Sequence, residues 1–143
     1  MPPDHVLVPL DGSPLSDEAL THALETFGCR VTVLNVVAPM DGGMAEGGVL
    51  EPGEERREAA RERAERLVEQ ARGRAGEGEQ TVETAVETGD PAETIVDYAT
   101  ENDVDQIVMG GHGGPQSGLT RRLLGTVATA VVGEAPMTVT VVR

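Results

Sequence analysis

Lysine is missing altogether. All eleven cations of this 143-residue chain are arginines, set against 25 aspartates and glutamates, for a formal net charge of −14. Without an ammonium there is no Walker-type phosphate lysine, no Schiff base and no acetylation switch. Aromatics are nearly absent as well, with Phe27, Tyr98 and no tryptophan, which removes the stacking platforms that single-stranded nucleic acids need. The acidic balance speaks further against a phosphate-backbone partner, so no nucleic acid is expected. Cys29 is the single cysteine and has no partner for an internal disulfide. The three histidines, His5, His22 and His112, are scattered without metal-ligand spacing. No apolar run approaches the ~20 residues of a membrane helix, and Met-Pro-Pro-Asp-His lacks the basic start and apolar stretch of a leader. The expectation is a soluble cytoplasmic protein with no membrane partner, built as one domain over residues 1–143.

What is present is an excess of carboxylates. Such a charge makes the folded chain repel itself, and concentrated salt screens that repulsion: the Debye length is about 8 Å at physiological ionic strength and about 3 Å at 1 M. Carboxylates in place of lysine also replace long apolar stems with short hydrated groups. The composition therefore reads as halophilic, adapted to a salt-rich cytoplasm. The plainer alternative is an acidic protein from ordinary salt.

Short β-branched runs alternate with helical periodicity along the chain. Strands are expected over 5–10, 30–37, 81–87, 105–109 and 136–142. Helices are expected over 14–27, 54–72 and 92–100, with a last one from about Thr126; residues 38–53 read as a loop and 73–78 as a helix break. Ser13-Pro14 supplies a cap and a first-turn proline. The order β-α-β-α-β-α-β-α-β predicts an α/β fold with a five-stranded parallel sheet and helices on both faces. In such sheets ligands sit beyond the carboxyl ends of the strands, where strand order reverses.

The loops after the strands therefore carry the functional reading. Gly110-Gly111-His112-Gly113-Gly114-Pro115-Gln116-Ser117-Gly118 follows the fourth strand directly. Glycines there let the backbone approach a ligand and expose consecutive N–H groups. Gly125-Thr126 then opens a helix, whose unpaired N–H groups and dipole favour a phosphate. The stretch is neither a GxGxxG turn after a first strand nor a Walker loop.

With these residues in place, the chain resembles the universal stress protein family over essentially its whole length. The resemblance is carried by VLVPLDGSPLSDEAL, VLNVVAP, GDPAETIVDYA and VMGGHG…GLTRRLLGTVA. It implies an adenine nucleotide alpha hydrolase-like fold and, for the ATP-binding branch, a G-x2-G-x9-G-[S/T] pattern. Gly110 and Gly113 fit its first half and Gly125-Thr126 its end, but eleven residues, Gly114 to Leu124, separate the halves in place of nine. The two extra residues either bulge outward and leave the cradle intact or close over the phosphates and displace them.

The resemblance implies ATP, or AMP or ADP, with Mg²⁺, as ligand. It places Pro9, Leu10 and Asp11 beside ribose and base, Val36 against adenine through its backbone, and Met109 and Gly110 near the sugar. Gly113, Gly125, Thr126 and the Val127 amide would hold phosphates. It also implies a homodimer, and the apolar last strand, Met137–Val142, has no lysine or inward charge to guard its edge. Asp11 suits ribose hydroxyls but equally a turn at Asp11-Gly12-Ser13, and Arg121 and Arg122 suit a triphosphate tail or a solvated surface. His112 reads as solvent-facing, Met40–Leu50 as a possible lid, and the charged helix 54–72 as a solvated face. Three functions follow: a nucleotide-binding stress-response regulatory protein acting through its nucleotide state and homodimer, a nucleotide-free interaction module, or a slow ATPase. No general base or paired metal ligands suggest efficient hydrolysis, and no catalytic or metal residue is assigned.

Overall fold

The computed structural model describes residues 3–11, 14–37, 52–75, 80–111 and 125–143. The elements run β1 (His5–Leu10), α1 (Pro14–Thr26), β2 (Arg30–Val37), α2 (Pro52–Ala75), β3 (Val82–Thr88), α3 (Pro91–Glu101), β4 (Gln106–Gly110), α4 (Thr126–Glu134) and β5 (Thr138–Val142). All five strands are parallel, in the order β3-β2-β1-β4-β5. The expected fold class is observed. Boundaries moved by a residue or two, and α2 differs most: it begins at Pro52, a favoured first-turn position, and continues through Gly73 to Ala75.

Alternation along the strands divides the core. Val6, Val8, Leu10, Val31, Val33 and Val108 face α1 and α2, packing on Leu20, Ala23, Ala64 and Val68. Leu7, Leu34, Ile107 and Met109 face α3 and α4, packing on Ile95, Ala99, Ala128 and Val131. The central strands are therefore apolar on both faces, as the near-continuous runs of β2 and β4 predict. On α4 the buried positions are Ala128 and Val131, while Val127 and Val132 are 36% and 46% exposed.

The amino end of the sheet is closed by polar groups. The Asp105 carboxylate accepts from the backbone N–H groups of Asp4 and His5 at 2.8 and 3.0 Å. Buried His5 bonds the Asn102 carbonyl through Nδ1 at 3.2 Å and the Thr32 hydroxyl through Nε2 at 2.7 Å. A carbonyl can only accept, so Nδ1 is the donor to Asn102.

Toward the carboxyl end the β1–β4 ladder stops early among the described residues. β1 pairs with β2 from His5 to Leu10 but with β4 only at Val6 and Leu7. Pro9 brings no N–H to extend a ladder. Strand order also reverses between β1 and β4, since β1 leads outward to β2 and β3 while β4 and β5 lie on its other side.

Candidate functional site

At this reversal lies a cavity of about 300 Å³. Its floor is the α3/α4 side of the strand ends, from Pro9, Leu34, Val36 and Met109. Pro91 and Ile95 of α3 and Ala128 of α4 cover it, and Asp11, Ser16, Gly110 and Gly125 to Val127 stand at its rim. The lining is apolar apart from the backbone, two hydroxyls and Asp11, the one ionisable side chain among the described lining residues. Apolar walls with a few convergent polar groups suit a flat organic ring with a polar tail.

Three local features shape the rim. α3 starts cleanly because the Asp90 carboxylate caps it, accepting from the Glu93 N–H at 3.1 Å, with Pro91 in the first turn. Gly110 lies so close to α1 that a Cβ there would sit 2.9 Å from the Leu15 carbonyl carbon and 3.0 Å from the Ser16 nitrogen. The glycine thus lets β4 end directly against the first turn of α1. At α4 the Gly125 N–H donates to the Gly111 carbonyl at 2.6 Å, and Gly111 N–H in turn donates to Val142 at 2.8 Å. The α4 N-cap is Gly125, which has no side chain of its own to bond the helix start. The N–H groups of Thr126, Val127 and Ala128 have no acceptor within the helix and open at the cavity rim.

Of the residues singled out in the sequence, Pro9, Leu10, Asp11, Val36, Met109, Gly110, Gly125, Thr126 and Val127 all line this cavity. Gly113 lies outside the described residues, as do Gly12, Ser13, the Met40–Leu50 stretch, His112, Arg121, Arg122 and the surplus segment Gly114–Leu124. Ser16, Leu34, Pro91, Ile95 and Ala128 were not foreseen. Leu34 was recoverable, because strand alternation puts it on the same face as Val36. The others come from helices folded over the strand ends, which no loop motif announces.

Elsewhere the titrating groups are structural. Arg30 grips Glu83 through two parallel bonds of 2.8 and 2.9 Å, and those bonds hold the Glu83 carboxyl below its ordinary value. Burial pushes the Cys29 thiol upward, away from a reactive thiolate. Burial likewise raises the Tyr98 phenol, with Glu83 and Glu87 adding to it. No group of three or more metal-ligating side chains occurs among the described residues, and no helix of these is long and apolar enough to cross a membrane.

Universal stress protein MJ0531 of Methanocaldococcus jannaschii is 34% identical over 143 residues, covering 96% of this chain and 81% of its own. The structure of UspA from Lactobacillus plantarum superposes with a TM-score of 0.74 at 25% identity, covering 100% of this chain and 99% of that one. Three further structures share the fold: a universal stress protein with cAMP (TM-score 0.70, 22% identity), one from Archaeoglobus fulgidus with dAMP (0.63, 22%) and one from Arabidopsis thaliana with AMP (0.63, 19%). They cover 100%, 100% and 98% of this chain, and 99%, 98% and 91% of their own. The family model described as "Universal stress protein family" matches residues 3–143, and the chain belongs to that family.

Proposed function

We propose that this protein binds an adenine nucleotide in the cavity between β1 and β4 and acts as a stress-response regulatory protein through its nucleotide state and a homodimer. The observation that carries the binding is the convergence, at a strand-order reversal, of an apolar slot and an uncapped helix start. The base lies in the slot against Pro9 and Val36, with Leu34 and Ile95 as further walls. Leu10, Asp11, Met109 and Gly110 flank the sugar. The phosphate end reaches Gly125, Thr126 and the Val127 amide, with Gly113 as the further expected contact. Relatives of the same fold carry cAMP, dAMP or AMP.

ATP with Mg²⁺ is the fuller form of this reading. Mg²⁺ keeps most of its water and takes one or two carboxylates plus phosphate oxygens, and Asp11 is the carboxylate at the rim. The surplus in the Gly113–Gly125 interval does not count heavily against a cradle. The hydrogen bond from Gly125 to Gly111 joins the two ends, and lengthening such a closed segment by two residues costs about 0.1–0.2 kcal/mol in chain entropy.

The test is to purify the protein in molar KCl, precipitate it, and identify released nucleotides by mass spectrometry. Near-stoichiometric adenine nucleotide is expected. An empty protein that also fails to take up added Mg-ATP or AMP would overturn the reading in favour of a nucleotide-free interaction module.

A further inference from the structure

The site's ligand class follows from its inventory of donors and charges, given the adenine-nucleotide reading above on which this rests. We propose that the cavity selects a nucleoside monophosphate over a triphosphate whenever no divalent cation is present.

At the uncapped start of α4 the Gly125 N–H is already committed to Gly111. What remains there is three amides, of Thr126, Val127 and Ala128, and the Thr126 hydroxyl, all neutral. A phosphate monoester presents three non-bridging oxygens and carries about −1.5 to −2 near neutral pH. Four donors are enough to give each of its three oxygens a partner. A β- and γ-phosphate bring further oxygens and further negative charge, and the described lining answers with no cation.

Among the described lining residues the one ionisable side chain is Asp11, an acid. The molecule around the site carries −14 and contains no lysine. Each added phosphate therefore gains repulsion without gaining a described donor. Mg²⁺ would change the balance by neutralising the tail, with Asp11 as the carboxylate that would help to hold it. Concentrated salt changes it by shortening the range of the repulsion.

Calorimetric titration of the full chain with adenosine, AMP and ATP tests the proposal, in EDTA at about 0.15 M KCl, where the Debye length is still ~8 Å. AMP should bind at least about tenfold more tightly than ATP, the scale of one to two unit charges near a surface. Added Mg²⁺ should raise the ATP affinity and narrow the gap. Thr126→Ala should weaken AMP several-fold and leave adenosine unchanged; the adenosine titration shows that the variant is folded.

ATP binding as tightly as AMP in EDTA would overturn the selection while leaving the nucleotide reading intact. Loss of that ATP affinity in Arg121→Ala/Arg122→Ala would then assign the tail to those arginines, against the proposal. Binding of none of the three ligands would overturn the nucleotide reading itself.

Discussion

Single residues set the shape of the cavity more than its chemistry. Pro9 leaves β1 without an N–H where the β1–β4 pairing has already stopped, and Gly110 lets β4 end against the α1 backbone. The neighbours of Gly110 are a carbonyl carbon, the Leu15 Cβ and the Ser16 nitrogen, parts of a helix start that cannot rotate aside. Gly110→Ala is therefore expected to cost about 1–3 kcal/mol, the usual range for forcing a methyl into a packed interior. Urea denaturation would show it as a lower midpoint with an unchanged slope. An unchanged midpoint would mean that α1 slides away freely and that the close approach is not a constraint. Gly89, by contrast, earns its place through conformation as well as space: its φ is +155°, and a Cβ would lie 2.5 Å from the Thr94 Oγ1.

Elements were largely legible because their periodicities were clean. β2 is apolar on both faces and α1 buries Ala19, Leu20, Ala23 and Leu24, as its spacing requires. What was not legible has physical causes. α2 runs on through Gly73 to Ala75, past the residue where the break over 73–78 was expected to begin, since one exposed glycine costs only about 1 kcal/mol in a helix otherwise rich in arginine, glutamate and alanine. On α4 the residues buried against β4 and α3 are Ala128 and Val131 while Val132 turns outward, a choice that a helix with valines on several sides does not declare in sequence. The cavity wall from α3 depends on where that helix lies across the sheet, which Pro91 and Ile95 do not declare in sequence. At the sheet's outer edge the Arg30–Glu83 pair ties β2 to β3 across two half-exposed side chains. Arg30 lowers the folded pKa of Glu83, so the unfolded chain binds the proton more readily. The stabilisation is then present above the unfolded carboxylate value and lost as pH falls through the folded one. The stability difference between wild type and Glu83→Gln should thus shrink as pH is lowered from about 6 towards about 3. Being solvent-exposed, it should be small throughout and smaller still in molar KCl. Urea titrations across that pH range measure it; a difference that grows on acidification would contradict the pairing.

At the scale of the molecule, charge and sheet edge act against each other. Among the described residues β5 has β4 as its only neighbour in the sheet, so its far side is an edge, with Thr138, Val139, Thr140, Val141 and Val142 along it. Two copies joining at these edges would form the proposed homodimer, and nothing resembling a lysine blocks the approach. Each copy nevertheless carries −14, so association must bring two like-charged bodies within a few ångströms. At 0.1 M salt the Debye length of about 10 Å leaves much of that repulsion in force, while at 1 M about 3 Å confines it to direct neighbours. Apolar burial along the edge is also strengthened by excluded salts such as sulfate or phosphate. The dimer should accordingly be promoted by salt: sedimentation velocity at fixed protein concentration is expected to move from monomer towards dimer as KCl rises from about 0.1 M to above 1 M. Val142→Lys, set in the edge strand as natural edges are guarded, should hold the chain monomeric at every salt concentration. A dimer that dissociates as salt rises would instead indicate an interface held by ion pairs, and a monomer under all conditions would remove the dimer from the mechanism and leave the nucleotide state alone to carry a signal.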